Sequence, residues 1–212
     1  MKPDLLIVLA HAAVQETYDR HLPLWKRHGL PIRVVTERDC PLKSNGESWV
    51  GMGNPGIIGQ GMADRIKEAV RITAMESDVA VILEYDCFML DRAIAFPKGL
   101  HGYIWHNTEP CRFYSPRFCG APWRLDSKSA GRMLAVADEY PDLTEGGHSD
   151  RINSALAWMA NVPMLPNREK SWCKVITPEM LPEVQKELES GTRYWHGIKD
   201  EVTLNLFTEY IQ

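Results

Sequence analysis

Three clusters of residues in this chain have types and spacings suited to chemistry. The first is Glu84-Tyr85-Asp86, two carboxylates one residue apart, directly after the apolar run Val79 to Leu83. Carboxylates so spaced can both reach one site when the chain leaves a strand in a turn. Hard cations such as Mg²⁺ and Mn²⁺ bridge one or two such groups to substrate phosphates. The second cluster is Trp195-His196-Gly197-Ile198-Lys199 near the end of the chain. Neutral imidazole suits Mn²⁺, and an ammonium beside a diphosphate offsets the charge of a leaving group. The third is EGGHSDRIN, Glu145 to Asn153, where a glycine-bearing loop enters a helix. Asp150 and Asn153, three apart, share one face of that helix. Acids also stand at strand ends and in first helical turns for structural reasons, the latter because they complement the helix dipole.

Cys111 to Arg132 form a fourth, looser pattern. Five basic residues (Arg112, Arg117, Arg124, Lys128, Arg132) are interleaved with Phe113, Tyr114, Phe118 and Trp123, and only Asp126 opposes them. Basic side chains track phosphates, and aromatic rings stack on bases or sugars. An aromatic core strand with solvated arginines gives the same pattern.

The elements that must position these residues follow from periodicity and punctuation. Leu5 to Leu9 read as a first strand, and Glu16 to Arg27 as a helix closed by Gly29. Pro31 to Thr36 read as a second strand. Cys40 to Gly61 read as a long loop, with five glycines from Gly51 to Gly61. A helix begins near Met62, its buried face marked by Ile66, Ala69, Val70 and Thr73, and it ends before Asp78. Val79 to Leu83, a continuous apolar run bounded by charge, predicts a central strand covered on both faces. Gly102 to Trp105 predict a further strand, Ser127 to Glu139 a helix, and Asp150 to Met159 another, capped by Ser149. Lys174 to Thr177 predict a short strand, Pro178 to Leu188 a helix, and the remainder a polar-aromatic tail. Strand and helix alternate through the first half. The expected fold is therefore α/β, with a mainly parallel central sheet and helices on both faces. Such sheets bind ligands at the carboxyl ends of their strands. That is where Glu84 and Asp86 fall.

Composition bounds the rest. The 212 residues suit one large α/β domain, and 44% hydrophobic with 25% charged residues is ordinary for a globular chain. No stretch approaches the roughly 20 apolar residues that span a bilayer. Asp4 precedes the first apolar run and no clean small-residue cleavage site follows it, so that run reads as a strand. The expected location is cytoplasmic. Five cysteines at irregular spacings, with no CxxC pair, indicate neither a zinc ribbon nor a disulfide framework. A net charge of -4 argues against wholesale nucleic-acid coating but leaves room for a local basic patch.

VILEYDCFML resembles the segment around the DxD motif of GT-A fold nucleotide-sugar glycosyltransferases. The resemblance implies a single GT-A domain over 1–212. Its first half (1–90) would bind the nucleotide-sugar. The second half (91–212) would hold the acceptor and end in a metal- and phosphate-binding tail. It implies a divalent cation, Mn²⁺ or Mg²⁺, with Asp86 as direct ligand. Glu84 becomes a direct ligand, a water-mediated ligand or a ribose contact, and Tyr85 lies near the ribose or base. The segment His196 to Lys199 resembles the C-terminal segment of glycogenin-like and related retaining galactosyltransferases. That implies His196 as metal ligand and Lys199 as phosphate contact, although the spacing is tighter here and no Pro-Trp follows the Lys. In the same family an acid at the start of the helix after the acceptor loop faces the acceptor or the reacting sugar. This maps onto Asp150, with Glu145 as substitute. His11 falls where the family meets the nucleotide base, and Arg65 where a phosphate contact is possible. The implied reaction moves a hexose, from UDP by family habit, to an acceptor hydroxyl. The compact chain also resembles phage-type DNA-modifying members, which would act in the host cytoplasm. Arg112, Arg117 and Trp123 then become candidate contacts to a hydroxymethylated pyrimidine, with a saccharide or lipid-linked glycan as the competing acceptor. Two other readings stand beside this one: a nucleotidyltransferase and a non-catalytic nucleotide- or glycan-binding domain.

Overall fold

In the computed structural model the residues described are 2–10, 15–37, 48–52, 60–90, 98–106, 115, 117–144, 148–167, 170–173, 176–198 and 201–211. In chain order the first half runs β1 (Leu5–Leu9), α1 (Gln15–Lys26), β2 (Ile32–Glu37), β3 (Ser48–Met52), α2 (Gln60–Glu76), β4 (Val79–Glu84) and β5 (Cys87–Met89). The second half runs β6 (Leu100–His106), β7 (Arg117–Asp126), α3 (Ser127–Glu139), α4 (Ser149–Met159), β8 (Met164–Pro166), β9 (Lys170–Cys173), α5 (Leu181–Glu189), β10 (Thr192–His196) and α6 (Glu201–Ile211).

Seven strands form one sheet in the order β3-β2-β1-β4-β7-β6-β8. All are parallel except β7, which runs against both β4 and β6. Right-handed crossovers dictate the layers. The step from β1 to β2 moves one way along the sheet and the step from β3 to β4 moves the other. The helices α1 and α2 therefore cover opposite faces. This is the expected α/β architecture, a mostly parallel central sheet flanked by helices and compatible with a Rossmann-like domain. The apolar runs of β1 and β4 are buried because both faces are covered. β1 has β2 on one side and β4 on the other, so the direction of chain progression reverses between β1 and β4. Ligands bind at such a switch point, at the carboxyl edge. Leu9 pairs with Glu84 at that edge.

A second sheet of three strands, β5-β10-β9, carries the end of the chain. Stacked Trp172 and Trp195 and the edge-on contact of Trp195 with Phe207 of α6 form its core, with ring centroids 5.6 and 4.7 Å apart. Side chains of α1, of the turn after it and of β7 reach it from the main body. Nε2 of His28, in that turn, stands 3.0 Å from the Met89 carbonyl oxygen. Trp25 of α1 donates from Nε1 to the Cys87 carbonyl at 2.9 Å. The Arg124 guanidinium of β7 lies 4.4 Å from the centre of the Tyr194 ring.

Several sequence expectations are corrected. The long glycine-bearing segment contains β3, an edge strand paired with β2. The ten residues of β7 include Gly120 and Pro122 and still form an interior strand. Proline is tolerated there because its β6 partner shifts register between His101 and Tyr103. The β4 pairing extends only from Asp126 to Trp123, so no ladder bond needs the missing N–H. The strand expected at Lys174 to Thr177 lies earlier, at Lys170–Cys173, and residues 174–175 fall outside the described set. The polar-aromatic tail contains β10 and α6. Among the described residues, no helix is long and apolar enough to cross a membrane.

Candidate functional site

The carboxyl edge of the large sheet brings distant parts of the chain together. β4 ends at Glu84, a turn follows through Tyr85 and Asp86, and the chain enters β5 in the second sheet. Antiparallel pairing then sets Cys87 against His196 of β10. The backbone carbonyl of Asp86 accepts from the N–H groups of Gly197 and Ile198 at 3.2 and 3.1 Å, which fixes the chain just after His196. As a result Nε2 of His196 stands 3.0 Å from Oε2 of Glu84 and 3.5 Å from Oδ1 of Asp86. The third part is α4. The Ser154 hydroxyl of this helix accepts from the Cys119 N–H at 2.8 Å and anchors the helix on β7. Its first turn then faces β4, and the Ser149 hydroxyl donates to Oε1 of Glu84. Ser149 is therefore not the helix cap expected from sequence. The cap position is His148, whose side chain makes no capping bond, and Ser149 turns its hydroxyl to the Glu84 carboxylate.

Glu84, Ser149 and His196 line a cavity of about 340 Å³ together with Tyr103 and Trp105 of β6 and Gly120 of β7. Asp150 is in its wall. Burial, and then the negative charge of Glu84, push the Asp150 carboxyl above the ordinary aspartate range, against a backbone N–H from Arg151 at 3.0 Å. Asp86 is buried beneath the wall. Cys87 is fully buried with its Sγ 3.9 Å from Oδ1 of Asp86, and burial pushes its thiol up to about 12, so it stays protonated.

The donor set fits a divalent cation. Oxygen and nitrogen ligands about 2.1 Å from an octahedral ion stand roughly 3 Å from their neighbours. The observed 3.0 and 3.5 Å separations lie close to that spacing. Asp86, Cys87 and His196 also group ligand atoms within 4.8 Å of one another. A neutral thiol is a poor ligand, so Asp86 and His196 are the stronger donors of that group, and Glu84 stands outside it, 3.0 Å from the imidazole.

Other expected site residues fall elsewhere. Tyr85 packs against the core and does not line the cavity. Arg65 is 1% exposed, because α2 is covered by the sheet on one side and by α3 and α4 on the other. It therefore does not offer a guanidinium to a phosphate. Trp123 is 0% exposed and donates from Nε1 to the Cys119 carbonyl at 2.5 Å, so it is a core residue and not an acceptor contact. Arg124 is buried under Tyr194, and Arg132 donates to the Ala160 and Asn161 carbonyls. Arg117 is exposed beside a separate cavity shared with His106 and Trp158. The described members of the basic pattern thus point in different directions. His11, Arg112, Glu145 and Lys199 lie outside the described residues.

Sequence reasoning missed Ser149 as a partner of Glu84, and it missed the aromatic part of the wall. The alternation of Tyr103 and Trp105 in a strand was the available signal for the latter. Compared with known proteins, the chain matches no family model and no curated protein sequence.

Proposed function

We propose that this chain is a metal-dependent glycosyltransferase that takes a hexose from a nucleotide-sugar donor. One observation carries the reading. The imidazole of His196, from the second sheet, meets the carboxylates of Glu84 and Asp86 at the switch point of the first, at 3.0 and 3.5 Å. That places two carboxylates and an imidazole where an α/β sheet binds its ligand.

In this reading Glu84, Asp86 and His196 hold a divalent cation. When bound, the cation neutralises the charge developing on the departing nucleoside diphosphate. Ser149 orients the Glu84 carboxylate by occupying its other oxygen. Asp150, in the cavity wall, takes the proton from the acceptor hydroxyl or stabilises the cationic sugar. A carboxyl with raised proton affinity suits a base that must hold a proton once it has taken it. Lys199 keeps its assignment as a phosphate contact on its position in the sequence. UDP remains the expected nucleotide.

The test is thermal stabilisation by a panel of nucleoside diphosphates and nucleotide-sugars, with Mn²⁺ and with chelator. The expected result is a shift with one nucleotide that chelator abolishes. No shift with any nucleotide in either condition would overturn the reading.

A further inference from the structure

Part of the cavity wall is built as an aromatic surface. Tyr103 and Trp105 are two apart on β6 and project from the same face of the strand at the sheet's carboxyl edge. Their ring centroids are 5.6 Å apart and the planes differ by 40°. Tyr103 is 41% exposed, a large value for an aromatic ring in a strand. Trp105 is braced by Phe118, edge-on at 5.7 Å. It also occupies space that a side chain at position 120 would need. A Cβ on Gly120 would stand 2.7 and 3.0 Å from Cζ3 and Cη2 of Trp105. The glycine therefore sets where the indole sits.

We propose that Tyr103 and Trp105 form a stacking platform for a neutral sugar ring, and that this ring is the acceptor of the transfer. The sugar platform stands on the geometry, while its role as acceptor site rests on the transferase reading above. One face of a pyranose ring presents mainly C–H groups, slightly positive and apolar. Such a face packs on the electron-rich face of an aromatic ring. Its hydroxyls then need hydrogen-bond partners, and the same cavity supplies the carboxylates of Glu84 and Asp150 and the hydroxyl of Ser149. Charge favours a neutral ring over a phosphate-bearing strand: among the described residues two carboxylates and no Lys or Arg line this cavity. Size agrees, since about 340 Å³ is at the small end of the roughly 300–1,000 Å³ of ligand pockets and suits one ring.

The experiment is saturation-transfer NMR on the full chain, in chelator and without nucleotide. The probes are methyl glycosides of glucose, galactose and mannose, with a single-stranded oligonucleotide as control. At least one glycoside is expected to receive saturation, mainly on the C–H groups of one ring face. Tyr103→Ala is expected to weaken that glycoside by roughly tenfold, the upper range of one aromatic contact. Gly120→Ala should weaken it similarly by displacing Trp105. Both variants are expected to keep stabilisation by nucleoside diphosphate with Mn²⁺, which shows that they fold. Saturation of the oligonucleotide alone, or equal glycoside binding in Tyr103→Ala and wild type, would overturn the platform. Loss of nucleotide-sugar stabilisation with unchanged glycoside binding would assign the rings to the donor and overturn it too. If glycosides bind at Tyr103 and no nucleotide shifts the melting curve, the transferase reading fails and the platform stands.

Discussion

Ser149 donates its hydroxyl to the same Glu84 carboxylate that faces His196, joining the first turn of α4 to the end of β4. The contact spans 65 positions of sequence and leaves each Glu84 oxygen with a different partner. Ser149→Ala removes the donor that orients this carboxylate. Outer partners of metal ligands typically contribute about 10–100-fold to affinity, so Mn²⁺ binding should weaken by about tenfold. Calorimetric titration with Mn²⁺ checks this, and unchanged affinity would remove Ser149 from the site.

Asp86→Asn should separate binding from folding. The backbone carbonyl of Asp86, not its side chain, accepts from Gly197 and Ile198, so the link to the second sheet survives the exchange. The carboxylate is buried beside Cys87 and His196, and a neutral amide is a much weaker ligand. Mn²⁺ affinity is expected to fall by more than about a hundredfold, while the melting temperature without metal stays near that of the wild type. Undiminished nucleotide stabilisation by Mn²⁺ in this variant would contradict the ligand assignment.

His21 gives a stability effect remote from the site. The ring is buried in α1, donates from Nδ1 to the Thr17 carbonyl at 2.8 Å, and packs on Trp25. Burial depresses its pKa from 6.5 to about 4. Between those values the unfolded chain takes up a proton that the folded chain does not. The contribution is fully present above pH 6.5 and is lost as the pH falls toward 4, by about 3 kcal/mol in all. Urea midpoints in small pH steps should decline through this window. His21→Leu should flatten the decline between about pH 5 and 6.5, above the range of ordinary carboxylates. An unchanged slope would refute the assignment.

Gly102→Ala tests the packing beneath the cavity. A Cβ there would meet the Gly120 carbonyl oxygen at 2.4 Å, Cys119 Sγ at 2.6 Å and Trp123 Cδ1 at 3.2 Å. Backbone cannot swing aside as a long side chain can, so the strands must part. A loss of about 2–3 kcal/mol is expected, read as a lower urea midpoint with an unchanged slope. A midpoint equal to wild type would show that β6 and β7 yield at this point.

The sequence made some of this legible for clear reasons. The run Val79 to Leu83 has no polar interruption, and only a doubly covered strand accommodates that, so the position of Glu84 at its end followed directly. Alternation of strand and helix foretold the parallel sheet. Ser149 misled because serine before a helix is usually a cap, and only the fold shows that Glu84 is within its reach. Arg65 misled because a helix read from one strip of apolar residues has a free side, and α3 and α4 remove that freedom. Trp123 and Arg124 misled for a related reason. Their side chains look available for binding in the sequence, which does not show that β4 and β6 flank β7 or that Tyr194 lies against Arg124. The short run Thr192 to His196 carried no strand signal by itself, because its partners in β5 and β9 are remote in the chain.

Glu84 belongs to one sheet's edge and His196 to another's, with Asp86 in the turn between them, and the second sheet is seated through Arg124 over Tyr194 and through Trp25 of α1 on the Cys87 carbonyl. A cation held by all three groups is then a staple across that seam, and its apparent affinity includes the free energy of docking one sheet on the other. Loosening the seam without touching a ligand side chain, as in Tyr194→Leu, would raise the cation concentration needed for half-saturation before it lowered the melting temperature. The ion-binding curve thus doubles as a gauge of how firmly the C-terminal part of the chain is seated.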